Sequence, residues 1–136
     1  MEMKIYVAGS FATRKCVKKV LELQNILRKA GFEVLNQLEA FDYTGIEDFR
    51  AEMELGKRII ENDLGLLEQA DVVVVLADEP SFGIGAEVFY AKRILEKKIV
   101  AVVTKPAKSP WIVSFADVIL GTYSVEDLIR VLKEVF

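Results

Sequence analysis

Asp71-Val72-Val73-Val74-Val75-Leu76-Ala77-Asp78-Glu79-Pro80-Ser81-Phe82-Gly83-Ile84-Gly85-Ala86-Glu87 decides the fold class of this chain. Val72 to Leu76 is an unbroken, mostly β-branched apolar run, the pattern of a strand buried on both faces of a parallel sheet. Pro80 to Gly85 then interrupts it as a glycine-rich turn. Val88, Ala91, Ile94 and Leu95 follow as the inward stripe of a helix expected over Gly85 to Lys97. Strand, turn and helix in that order put the turn at the carboxyl end of the strand, where open α/β sheets bind their ligands. Glu87 is the acid of that turn, expected in the first turn of the helix.

The rest of the chain repeats the alternation. Lys4 to Gly9 reads as a strand, and Arg14 to Ala30 as a helix with Val17, Val20, Leu21 and Leu27 inward and Gly31 at its end. Phe32 to Leu35 is a short strand. Asn36 to Gly45 is irregular and carries Phe41 and Tyr43, either covering a ligand or packing down. Ile46 to Ala70 reads as a long helix, broken near Gly56, with Ile59, Ile60, Leu64, Leu66 and Leu67 on its apolar side. Ile99 to Val103 and Val118 to Leu120 are strands, Trp111 to Ala116 a short helix, and Ser124 to Val135 a last helix capped by Ser124 with Asp127 three residues on. The expected architecture is α/β: a three-layer, open, parallel five-stranded sheet of the Rossmann or flavodoxin-like kind. Its strand order is 2-1-3-4-5 and its switch point lies between the first and third strands. Residues 1–136 read as one domain, without repeat or linker.

Composition narrows the chemistry. With no histidine, Ser-His-Asp and Cys-His catalysis and histidine-ligated zinc are excluded. One cysteine, Cys16, excludes a disulfide framework. A net charge of -3 with mixed signs provides no basic stripe for a nucleic-acid polymer and no membrane patch. No apolar run reaches the length of a membrane span, and the start lacks a signal-peptide pattern, so a cytoplasmic location is expected. Carboxylates, phenols, Lys, Arg and backbone amides are what remain.

Two loops meet at the switch point, Gly9 to Arg14 and Glu79 to Glu87. Amides at helix starts attract anions, and Arg14 with Ser10 and Thr13 suits a phosphate; equally, Ser10 or Thr13 caps a helix. Gly83-Ile84-Gly85 lacks the further glycine of a dinucleotide fingerprint, and no phosphate-loop lysine motif is present. Glu87 is either an acid placed against the helix dipole, which lowers its pKa, or a nucleophile or base facing the cleft. Asp63 stands among Ile59, Ile60, Leu66 and Leu67, where a charge is costly unless bonded. It is a cap, an ion-pair partner or a site residue. Tyr6 is core, or aims its hydroxyl at the cleft carboxylate. Asp71 reads as structural, with Asp78 and Glu79 as secondary candidates. Paired carboxylates with a phosphate grip suggest chemistry at a glycosidic carbon, one acid attacking and another protonating the leaving group.

Ile5-Tyr6-Val7-Ala8-Gly9-Ser10, Asp63-Leu64 with Ala70-Asp71-Val72-Val73-Val74, and Pro80 to Glu87 together resemble the nucleoside 2-deoxyribosyltransferase superfamily, closest to the 2'-deoxynucleoside 5'-phosphate N-hydrolases. The resemblance implies that Glu87 attacks C1' of deoxyribose, that Asp63 handles the leaving base as proton donor, and that Tyr6 positions the glutamate and sugar. It implies a 5'-phosphate grip of Gly9, Ser10, Arg14, Ser81 and Gly83. Ser109 is similar to a serine supplied by a neighbouring subunit, with Trp111 near the base, hence a homodimer with shared active sites. The substrate so implied is a small deoxynucleotide, cleaved to free base and 2-deoxyribose 5-phosphate without metal or organic cofactor. Base exchange between deoxynucleosides and a non-catalytic nucleotide-binding domain are the alternatives, with a purely structural protein behind them. Phe11-Ala12-Thr13 departs from the glycine-rich turn of the phosphohydrolases, Trp111 is bulkier than the usual side chain, and Gln37 matches no part of the pattern.

Overall fold

Alternation of apolar runs with amphipathic segments produces five parallel strands in the computed structural model, which describes residues 3–136. They are β1 (Lys4–Ala8), β2 (Glu33–Leu35), β3 (Val72–Leu76), β4 (Lys98–Val102) and β5 (Val118–Leu120), in the expected order β2-β1-β3-β4-β5. The helices are α1 (Arg14–Lys29), α2 (Met53–Gln69), α3 (Phe82–Phe89), α4 (Pro110–Phe115) and α5 (Val125–Glu134). Tyr6 pairs with Leu35 on one side and with Val73 on the other, so β1 is an interior strand and Tyr6 is flanked by strands on both sides.

The strand period of two divides the core. Ile5, Val7, Val72, Val74 and Val100 face α1 and α5, meeting Val20, Leu23, Leu27 and Leu128. Tyr6, Ala8, Val73, Val75 and Ala101 face the other way, toward Leu67 of α2 and Ile84 and Val88 of α3. Val73, Val74 and Val75 are wholly buried, each burial stabilising by roughly 2 kcal/mol. Covering both faces is what a parallel sheet requires.

Several local expectations are corrected. Residues 46–52 are not the start of a long helix. Asp48 accepts from the Arg50 amide at 2.9 Å and opens a single 3-10 turn at Phe49–Ala51, after which α2 begins at Met53 and runs unbroken through Gly56. Ile60 and Ile94 point outward, and Leu21 is partly exposed, while Leu23 takes the core position on α1. α3 starts three residues earlier than expected and continues as a wider π-type turn over Tyr90–Ile94. Gly31, with φ +101, occupies the left-handed region just past α1, where a side chain is strained. Ser124 caps α5 through the Asp127 amide at 3.2 Å. Asp71 accepts from the Lys4 amide at 2.8 Å, a structural tie at the strand's amino end.

Candidate active site

Tyr6 is fully buried on β1, and its hydroxyl donates a short hydrogen bond to Glu87 Oε2 of α3. The bond exists because β1 and β3 are neighbours and α3 leaves the end of β3 to lie over the face that carries Tyr6. Glu87 as a residue keeps some solvent contact, while protein atoms crowd its carboxyl end. Its helix position differs from the expected one. Ser81 Oγ accepts from the amides of Gly83 at 3.1 Å and Ile84 at 3.4 Å, so α3 opens at Phe82 and Glu87 falls in the second turn. The dipole fades within the first turn, and the expected lowering of its pKa is overturned. Burial, joined by the Asp63 charge, outweighs the Tyr6 hydrogen bond and pushes the Glu87 carboxyl up to about 8.

Asp63 is half-buried on α2, and burial raises its carboxyl to about 6 against a hydrogen bond from Asn62 Nδ2 at 3.4 Å. Burial, followed by the charges of Glu87 and Asp63, also drives the Tyr6 phenol far above its ordinary range. Tyr43 belongs to the same group. Burial, then the charges of Asp63 and Glu87, raise its phenol, and its ring packs edge-on against Phe11 at 5.6 Å and Phe49 at 6.4 Å. The irregular loop thus carries a phenol toward the carboxylates. Two carboxyls whose values are pushed apart, to about 6 and about 8, beside two phenols, can divide the roles of nucleophile and acid.

The residues expected to grip a phosphate are spread over two adjoining hollows that share Asp78 and Glu79, and over the start of α1. Ser10 is buried, accepts from the Ala12 amide at 3.2 Å, and lines a hollow of about 30 Å³ with Lys19 and Asp78. Thr13 caps α1 through the Cys16 amide. Arg14 stands exposed at the first position of α1. A Cβ on Gly9 would meet Val20 Cγ2 at 2.5 Å, so packing alone demands glycine there. A Cβ on Gly83 would lie 3.5 Å from Ser81 Oγ and 4.0 Å from Glu87 Oε1, so glycine leaves the approach to Glu87 open. Ser81, Ser109 and Trp111 line a larger cleft of about 790 Å³ with Phe82, Phe89 and Lys105. Ser109 caps α4 through the Trp111 amide. Neither Tyr6, Asp63 nor Glu87 lines that cleft. Among the described residues no three acidic or thiol side chains are placed to hold a metal ion, and no helix is long and apolar enough to cross a membrane.

Sequence reading missed Gln24, Gln37 and Asn62. Gln24 Nε2 donates to Gln37 Oε1 at 3.0 Å, and Gln37 Nε2 donates to the Val7 carbonyl at 2.9 Å. The signal was present for Gln24, which shares the stripe of Val20, Leu23 and Leu27 as Asp63 shares that of Ile59 and Leu67.

The family model described as nucleoside 2-deoxyribosyltransferase matches residues 5–128. A putative 2'-deoxynucleoside 5'-phosphate N-hydrolase of Thermofilum pendens is 34% identical over 89 residues, 65% of this chain and 59% of that protein, so the match spans under two thirds of the relative's length. Among solved structures, a 2-deoxyribosyltransferase of Bacillus psychrosaccharolyticus superposes with a TM-score of 0.66 at 19% identity, over 93% of this chain and 90% of that one. A CMP N-glycosidase of Clostridium botulinum superposes with 0.60 at 14% identity, over 96% and 99%. These two likenesses establish the shared fold.

Proposed function

The chain belongs to the nucleoside 2-deoxyribosyltransferase family, and from that premise we propose that it cleaves the N-glycosidic bond of a 2'-deoxynucleoside or its 5'-phosphate through Glu87. The observation that carries the reading is the Tyr6 hydroxyl held on Glu87 with Asp63 near enough for its charge to act on both groups. Ionised Glu87 attacks C1', and a new C1'–O bond forms as the C1'–N bond breaks. The electron pair leaves with the base, which takes a proton from Asp63. Tyr6 holds the attacking oxygen in place. The deoxyribosyl ester on Glu87 is then released by an acceptor.

Transfer to a second base is the first reading of that step. The family model supports it, as does the crowding of the Glu87 carboxyl, which favours a bound acceptor over free water. Hydrolysis of a 2'-deoxynucleoside 5'-monophosphate is the second, favoured by the 34% identity to the putative N-hydrolase. In either, Ser10, Arg14 and Ser81 serve the 5' end of the sugar. A second copy of the chain brings Ser109 and Trp111 to the site; the exposed Phe82, Phe89 and Trp111 around the larger cleft support this.

Base release from the four 2'-deoxynucleosides and their 5'-monophosphates, with and without an added acceptor base, tests the proposal. Wild type is expected to release base and Glu87→Gln to lose at least about a thousandfold in kcat. Exchange exceeding free sugar assigns the transferase, and acceptor-independent release from monophosphates the hydrolase. No release from any of them refutes the reading. Light scattering is expected to show twice the chain mass, and a monomer at assay concentration would remove the shared site.

A further inference from the structure

β2 ends at Leu35, the register partner of Tyr6. Past that pair the Val7 carbonyl receives a side chain in place of a strand, Gln37 Nε2 at 2.9 Å. Gln37 is 2% exposed and Gln24 1% exposed, and interior amides are costly unless bonded. The Val7 bond fixes which way the Gln37 amide faces, so its Oε1 is left for Gln24 Nε2. Gln24 Oε1 has no partner among the described residues. The main-chain carbonyl of Gln37 reaches the other way, accepting from Asn62 Nδ2 at 3.4 Å, and the same amide group donates to Asp63 Oδ1 at 3.4 Å. One amide nitrogen carries two hydrogens and can serve both acceptors.

A chain of contacts therefore runs from α1 through the end of β1, one residue past Tyr6, to the carboxylate of Asp63. The other groups whose charges couple with this cluster are Glu87 of α3, Tyr6 of β1 and Tyr43 of the loop, none of them a cation. Asn62 supplies the hydrogen bond that the Asp63 carboxylate accepts among the described residues.

We propose that Gln37 and Asn62 are positioning residues: Gln37 ties the carboxyl end of β1 to α2, and Asn62 carries that tie to Asp63 and sets its orientation and proton affinity. The assignment rests on the N-glycosidic reading only for its kinetic consequence. Its test is the titration of Asp63 followed by NMR in the full chain with carboxyl-labelled aspartate, the signal assigned by its absence in Asp63→Asn. In Asn62→Ala the midpoint is expected to rise by about half a pH unit or more. The kcat for base release is expected to fall about tenfold with KM within twofold, and the pH–rate profile to move with the midpoint. Gln37→Met is expected to move the midpoint the same way by releasing the anchor of Asn62. If Gln37→Met does not fold, Asn62→Ala alone decides, because Asn62 is only partly buried, unlike Gln37. An Asp63 midpoint in Asn62→Ala equal to wild type overturns the proposal, and so does a moved midpoint with an unmoved pH–rate profile. Should wild type release no base, the N-glycosidic reading fails and the midpoint by itself rules on the positioning.

Discussion

At the scale of single residues, the two carboxyls set the pH dependence. On the proposed mechanism catalysis needs Glu87 ionised and Asp63 protonated, while burial pushes Glu87 up to about 8 and Asp63 up to about 6. The product of those two states is bell-shaped, with limbs near 6 and 8 whichever carboxyl holds the shared proton. Below about 6 both carboxyls are protonated and the nucleophile is lost; above about 8 both are ionised and the acid is lost. We expect kcat/KM to peak near pH 7, and Asp63→Asn to be slower and to lose the alkaline limb. A bell that survives intact in Asp63→Asn would remove Asp63 as the acid. Tyr6→Phe deletes the hydrogen bond that favours ionised Glu87, so kcat/KM at pH 7 should fall by about tenfold and the alkaline limb move upward. The identities of these residues were legible in the sequence: Asp63 as an acid on an apolar stripe, Tyr6 in a strand, Glu87 after a glycine turn. The ionisation of Glu87 was not. It depends on a helix start three residues earlier, for which Ser81 as N-cap is the local signal, and on the crowding around one carboxyl, which has none.

At the scale of elements, the Gln24–Gln37 pair joins α1 to the segment after β2 and replaces strand pairing for the Val7 carbonyl. Gln37→Leu strands two buried groups, the Val7 carbonyl and the Gln24 amide, and should cost about 3 kcal/mol in denaturant unfolding. Gln24→Leu strands one buried group, Gln37 Oε1, instead of two, and should cost about 1 to 2 kcal/mol. The double variant should cost less than the sum, since the second change removes an amide the first had left unpaired. Strict additivity would show that the two amides do not act as a unit. Helix and strand cores were readable from periodicity because burial imposes it. The boundaries failed where side chains cap the backbone: Asp48 on the Arg50 amide and Ser81 on the Gly83 and Ile84 amides. Apolar spacing does not register such contacts. The outward Ile60 and Ile94 mislead for a related reason, since spacing alone cannot tell a core face from a surface one.

At the scale of the whole molecule, strand order and the two-faced core followed from the alternation alone, because right-handed crossovers leave few ways to cover a parallel sheet. The convergence of β1, α2, α3 and the Tyr43 loop is a long-range outcome that only the folded chain displays, and it has a thermodynamic consequence. Asp63 and Glu87 have ordinary values of 3.8 and 4.5 and are raised in the folded state to about 6 and about 8. Between those limits the folded chain binds more protons than the unfolded one, so this contribution is present at low pH and is lost as pH rises through the folded values. Asp78 and Asp117 act oppositely. Burial works against them, but hydrogen bonds from Thr104 and Lys92 hold their carboxyls low, so their stabilisation is lost as pH falls through the acid range. Together these opposing terms place maximum stability near pH 5, with Tm declining from there to pH 8.5. Glu87→Gln removes the larger raised carboxyl, and it should lift Tm at pH 8.5 by about 5 °C while leaving the value at pH 5 nearly unchanged. Thermal unfolding across that range decides the matter. A Tm that is flat or rises from pH 5 to 8.5 would mean that the carboxyls are solvated in the free protein, and that substrate closure rather than folding desolvates them.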